Sequence, residues 1–335
     1  MEIRRVQMTG GSSYIITLPK EWVKKSNIQK NDPIRMLPQS DGSLLITVKM
    51  EKKDISKNKE FKIGKKPEEN FLLRRLIGAY IAGFDSIKIK SKNRIPPAVR
   101  KVVRKFIQST IGQEVVEETD NSITLKDLLN PVEMPFNRSV KRMHIMVKNM
   151  YEDTMTAFQD KNKTLAKDVI VRDNEVDRLH WLIARQHNIL TRNVNFAEKM
   201  GTTIEGATTS FLISKRLERI GDHVIKISEN IQNVMDENIN PKIVNRLTKA
   251  SDLSIKMLNK SIGAYSKKDI REANENIDMV DELDEICEEV KTSALKKEPL
   301  VALSIGYIAE SIGRIGEYAE DISETVINHL VGKDK

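Results

Sequence analysis

The chain has 335 residues, 31% of them charged and 5% aromatic, with a net charge of +8 and a single cysteine. That length admits two or three domains, and the high charge with few aromatics suits long amphipathic helices rather than an enzyme-like β-rich core. The lone Cys287 excludes an intrachain disulfide and fits a reducing compartment. With no secretory leader ahead of Met8 and no apolar run near the ~20 residues of a membrane span, the expectation is a cytoplasmic protein without membrane insertion.

The first fifty residues carry short β-rich runs at 14–18, 33–37 and 43–48, broken by Gly, Pro, Asn and Asp, with one short helix at 19–26. So few large apolar side chains cannot build a sufficient core in one copy, so this unit is expected to dimerise. A basic first strand is followed by a small-residue turn, the step Ile16-Thr17-Leu18-Pro19, a short basic helix and a final hairpin. In that order the segment 1–49 resembles the AbrB/SpoVT swapped-hairpin DNA-binding domains. The resemblance implies DNA contact through Arg4, Arg5, Lys20, Lys24 and Lys25, mainly to phosphates. Ser13 and Tyr14 stand at the turn where many relatives place an arginine, which argues against strong base readout. A pure dimerisation module is the alternative.

Residues 50–130 read as a charged linker (49–60) and then helix 69–82, strand 85–90, helix 97–109 and strands 114–118 and 122–125, an α-β-α-β-β module. Arg94, Arg100, Lys101, Arg104 and Lys105 make its second helix basic, as a solvated face or as an addition to a DNA surface. Residues 1–130 carry +11 and residues 131–335 carry −3. The positive charge is therefore local, as in a nucleic-acid binder.

The remainder contains a repeat. LERIGDHVIKI (217–227) recurs as IGRIGEYAEDI (312–322), 95 residues on, and DNEVDRLHWLI (173–183) as IDMVDELDEIC (277–287), 104 residues on, so one connection differs by nine residues. Gly221 and Gly316, inside apparent helices, point to close helix approach. Asp173 with Asp177, and Glu218 with Asp222, form i, i+4 carboxylate pairs on two helices, suited to hard cations or to a solvated face. His180 and His223 lie beside these acids as surface, packing or ligating groups.

A tandem of three-helix bundles with D-x-x-V-D on the middle helix and E-R-I-G-D on the third resembles the PhoU phosphate-uptake regulators, over 136–236 and 237–331. The fold class is therefore multidomain: a small swapped-hairpin β domain, a small α/β module and an all-α domain of two three-helix repeats. The resemblance implies a metal site at Asp173, Asp177, Glu218 and Asp222, for Mg, Mn, Ca, Fe or Zn. In the second repeat Ile277 and Gly313 replace two acids, leaving Asp281 and Glu317 as a weaker site.

No P-loop, G-x-S-x-G, H-E-x-x-H or Cys/His cluster is present, and a hydrolase on the carboxylates would lack a placed nucleophile, so a non-enzymatic regulator is expected. The leading expectation is a homodimeric or higher-order DNA-binding regulator of phosphate homeostasis whose helical repeats sense phosphate status through the metal site or a partner. The alternative implied by the resemblance is a non-DNA-binding adaptor that restrains a phosphate ABC transporter, through its ATPase, or a sensor kinase.

Overall fold

The computed structural model describes residues 2–38, 42–48, 57–64, 67–192 and 194–332. The chain divides into two compact units, residues 1–56 and 57–335.

In the first unit, β1 (Gln7–Thr9) pairs antiparallel with β2 (Ser13–Ile15), in the register Gln7 to Ile15. Gly10 and Gly11 turn between them at φ of 65° and 79°, the left-handed region that glycine enters without steric cost. The predicted run 14–18 is strand only to Ile15. Pro19, which can donate no ladder hydrogen bond, instead caps α1 (Lys20–Lys25). Arg4 and Arg5 precede β1 rather than lying in it. β3 (Ile34–Pro38) and β4 (Leu44–Val48) form a second antiparallel hairpin. Among the described residues of this unit none is buried, and Ile3, Met8 and Tyr14 are 83%, 65% and 77% exposed. As a single copy its described residues form no core.

The second unit begins with an α/β module whose first strand the sequence reading missed. β5 (Asn58–Ile63) starts inside the stretch read as linker, and 49–56 lie outside the described residues. Phe61 is its only buried side chain and Ile63 its only other apolar one, so NKEFKI offers too short an alternation to read. The order is therefore β-α-β-α-β-β: β5, α2 (Glu69–Ile81), β6 (Ser86–Ser91), α3 (Pro97–Gln108), β7 (Gln113–Glu118) and β8 (Ser122–Asp127). The sheet runs β5-β6-β8-β7, with β5 parallel to β6 through the α2 crossover and the other pairs antiparallel. α2 and α3 supply Leu76, Tyr80, Val99 and Phe106 to a core closed by Ile87, Ile89, Ile123 and Leu125.

Helices α4 (Phe136–Gln159), α5 (Lys163–Leu190) and α7 (Ile204–Val234) form the first repeat, with a short α6 (Val194–Lys199) between the last two. The second repeat is α8 (Pro241–Lys267), α9 (Ile270–Ile277) with α10 (Val280–Ala294), and α11 (Pro299–Val331). Residues 191–203 join α5 to α7, and only 295–298 join α10 to α11, which accounts for the nine-residue difference. α7 packs along α11 and α4 on α8, so the repeats share one core. Across that seam Tyr151 Oη and Ser254 Oγ lie 2.8 Å apart, and His144 Nε2 is 2.9 Å from Asn259 Oδ1.

The predicted middle helix of the second repeat is not continuous. It breaks at Asp278–Met279, where the Met279 N–H donates three residues back to Asn276 and tightens the turn. Buried Asn276 also donates to Ser323 Oγ on α11 at 2.9 Å, pinning the end of α9. The paired glycines do permit close approach: a Cβ on Gly221 would meet Asp173 Oδ1 at 2.9 Å, and one on Gly316 would meet Leu283 Cδ2 at 2.1 Å.

Candidate functional site

α5 and α7 pack face to face and bring together the four acids of the first repeat. The electrostatics show how closely they share a field. Burial, reinforced by Asp177, Asp222 and Glu218, pushes the Asp173 carboxyl up to about 7. Burial and then Asp222 push Asp177 up to about 6. Glu218 is raised to about 6 by burial and then Asp222, against Arg219 and Lys215, and Asp222 is raised by burial against Arg219 and Lys226.

Arg219 is ion-paired with two of the acids, 3.7 Å from Glu218 and 3.4 Å from Asp222. It is half exposed and does not relieve Asp173, whose Oδ1 is buried with no hydrogen-bond partner. A buried acceptor left unpaired costs about 1–3 kcal/mol. The cluster thus holds more negative charge than its surroundings compensate. Among the described residues, no group of three or more His, Cys, Asp or Glu side chains is arranged to hold a metal ion. The donor chemistry nevertheless fits a hard cation, since all four groups are carboxylates and one oxygen is orphaned.

The flanking histidines make packing contacts. His180 stacks on Phe211 with ring centroids 6.0 Å apart and shares a 3.1 Å hydrogen bond between Nδ1 and Ser214 Oγ. His223 tilts against Tyr318 at 5.8 Å. Burial first, then neighbouring cations, lowers both to about 4, so they are neutral at physiological pH.

The weaker second site is arranged differently. Ile277 ends α9 and Asp281 lies exposed in the first turn of α10, so the helix break interrupts their i, i+4 relation. Glu317 is bonded to Arg314, with Nη1 to Oε2 at 2.5 Å. Of the candidate DNA contacts, Arg5, Lys20, Lys24 and Lys25 are exposed, and Arg4 is exposed but bonds Glu2 at 2.6 Å.

The sequence reading missed a second set of working side chains, on α5 and in the turn just past it. Arg178, Arg185 and Arg192, seven residues apart, each donate to backbone carbonyls of the α/β module: to Thr110 at 3.3 Å, to Tyr80 and Phe84 at 2.7 and 3.0 Å, and to Ala82 at 2.9 Å. Arg185 also pairs with Asp127 at 2.6 Å while only 3% exposed, and Trp181 packs against the module's core. That seven-residue spacing was the available signal: Arg178 and Arg185, at i and i+7, share a face of α5, and Arg192 follows two residues past its end. α5 therefore carries half of the acidic cluster and, with the turn that follows it, the clasp that holds the module.

Comparison with known proteins agrees with this architecture. A model of the PhoU domain matches residues 140–231 and 247–326, and one of the antidote-toxin recognition protein MazE, a bacterial antitoxin, matches residues 7–54. The chain is 27% identical over 204 residues to the phosphate-specific transport system accessory protein PhoU of Escherichia coli, covering 58% of this chain and 82% of that protein. It is 24% identical over 202 residues to PhoU homolog 1 of Thermotoga maritima, covering 58% and 85%. The crystal structure of PhoU from Pseudomonas aeruginosa superposes with a TM-score of 0.53 at 20% identity, over 59% of this chain and 96% of that one. That of the phosphate transport system regulatory protein PhoU from Streptococcus pneumoniae gives 0.52 at 15%, over 59% and 94%. With its tandem helical repeats matched over half of its length, the chain belongs to the PhoU family.

Proposed function

We propose that this protein is a cytoplasmic, dimeric, DNA-binding regulator of phosphate homeostasis. The observation that carries the reading is the joining of a coreless, cation-bearing unit matched by an antitoxin model to a PhoU domain whose relatives are named for phosphate-specific transport. The exposed Ile3, Met8 and Tyr14 are the side chains a second copy would cover, and dimerisation would double the cations of Arg4, Arg5, Lys20, Lys24 and Lys25. In the helical domain, Asp173, Asp177, Glu218 and Asp222 would hold a hard cation that supplies the missing positive charge. The protein's own part is to present the four carboxylates, with His180 held by Ser214 and His223 set against Tyr318 with its Nδ1 buried and unpartnered.

Sedimentation of the full chain with a labelled phosphate-transport promoter duplex tests this. The expected result is a dimer that carries the DNA, and an Arg4→Ala/Arg5→Ala variant that stays dimeric and leaves the DNA free. A monomer, or free DNA with the wild-type chain, overturns the reading.

A second reading, an adaptor that restrains a phosphate transporter without touching DNA, is favoured by one observation: the named relatives are transport accessory proteins whose similarity covers 58% of the chain. Under it, control of phosphate uptake survives in the Arg4→Ala/Arg5→Ala variant.

A further inference from the structure

The positive charge of the chain is not concentrated in the unit that resembles a DNA-binding domain. Residues 1–56 carry +4 and residues 57–130 carry +7. Within the α/β module that charge is sorted by side. On the open face of the sheet, lysines meet carboxylates across the strands: Lys90 pairs with Glu60 at 2.8 Å and Lys88 with Glu117 at 3.8 Å. On the helical layer the balance is lost. α2 and α3 together hold Arg74, Arg75, Arg100, Lys101, Arg104 and Lys105 against the single carboxylate Glu69.

Two of these six are occupied within the fold. Arg75 lies over the Phe61 ring at 4.4 Å, and Arg100 pairs with Glu118 at 2.6 Å. Lys101 reaches Glu69 only at 3.8 Å, across the groove between the two helices. Arg74, Arg104 and Lys105 are exposed. α3 turns Val99, Val102, Val103 and Phe106 into the core, so Lys101, Arg104 and Lys105, at i, i+3 and i+4, form one outward stripe. α5 docks on carbonyls at the C-terminal end of α2 and just past α3, which leaves this stripe uncovered.

We infer that the α2–α3 layer of the module is a second DNA-backbone contact; this rests on the DNA reading proposed above. A helix turn of about 5.4 Å spaces the cations along a polyanion that presents a charge every ~1.7 Å of its axis, so several phosphates fall within reach of one stripe. Eight residues, 49–56, link β4 to Lys57, so binding by the first unit raises the local concentration of DNA at the module. The stripe contributes affinity and salt dependence but no base readout, because lysines and arginines on phosphates fix position rather than sequence.

The test is the affinity of the full chain for a random-sequence DNA duplex, measured from about 50 to 200 mM salt. Two double variants remove the same charge: Arg104→Gln/Lys105→Gln on the helical layer and Lys62→Gln/Lys126→Gln on the sheet. The helical pair is expected to lower the slope of log affinity against log salt by about 2 and to weaken binding about tenfold near physiological salt. The sheet pair is expected to change affinity by less than about twofold. Equal effects of the two pairs would overturn the inference in favour of bulk charge. No effect of the helical pair, with binding abolished by Arg4→Ala/Arg5→Ala, overturns the inference and leaves the DNA reading standing. No DNA binding by the wild-type chain removes both. Unchanged DNA binding with loss of binding to phosphatidylglycerol vesicles in the helical pair would assign the stripe to a membrane surface instead. Thermal melts of the four-residue set check folding, and these exposed positions are expected to leave it intact.

Discussion

Replacing Arg185 by methionine is expected to cost about 3–5 kcal/mol of stability, because it leaves a buried charge unpaired. Asp127 keeps only 10% of its side chain exposed, and burial already pushes its carboxyl up against the pull of Arg185. The same substitution strips the Tyr80 and Phe84 carbonyls of their guanidinium donor. Asp127→Asn in the same chain removes the orphaned charge and keeps an acceptor for the Leu129 N–H, so the double variant is expected to recover about 1–3 kcal/mol. Urea unfolding followed by Trp181 fluorescence in a Trp22→Phe background reads the module's interface directly, since Trp181 packs against the module's core. A loss below ~1 kcal/mol, or strictly additive single variants, would show that Arg185 does not hold the module.

The acidic cluster should make metal-free protein lose stability as the pH rises. Asp173, Asp177 and Glu218 all have folded-state values raised above their ordinary ones, to about 7, 6 and 6. The folded chain therefore binds more protons than the unfolded one between about pH 4 and pH 7, and the favourable contribution is lost across that window. Asp173→Asn, which needs no proton to be neutral, is expected to flatten the dependence and raise the melting temperature of metal-free protein at pH 7.5. A cation at the site should do the same for the wild type, by about 2.7 kcal/mol at a hundredfold excess over its dissociation constant. Glu218→Gln/Asp222→Asn should abolish that gain. A melting temperature unmoved by Mg, Mn, Ca, Fe and Zn would remove the metal reading, and a pH profile identical in Asp173→Asn would remove the electrostatic one.

What the sequence disclosed depended on whether a feature was periodic or local. The repeat was legible because Gly221 and Gly316 each sit where two helices must touch, and the offsets of 104 and 95 located the differing connection. The pairs on α5 and α7 followed from i, i+4 spacing alone. β5 was not legible, because an edge strand with apolar residues only at Phe61 and Ile63 carries too short an alternation. The break at Asp278–Met279 was hidden because its neighbours keep a helical apolar pattern, while its anchor, Asn276 to Ser323, is a contact between distant residues. The clasp was half legible: Arg178, Arg185 and Arg192 show a heptad in the sequence, but their acceptors are backbone carbonyls, which no sequence displays.

The most direct measurement of the central claim is genome-wide capture of the DNA bound by this protein in cells grown with high and with low phosphate, beside the Arg4→Ala/Arg5→Ala variant. The account predicts enrichment at phosphate-transport promoters that changes with phosphate supply and disappears in the variant. Absence of enrichment in both conditions would contradict it, and would leave the N-terminal unit as a dimerisation module on a transport accessory protein.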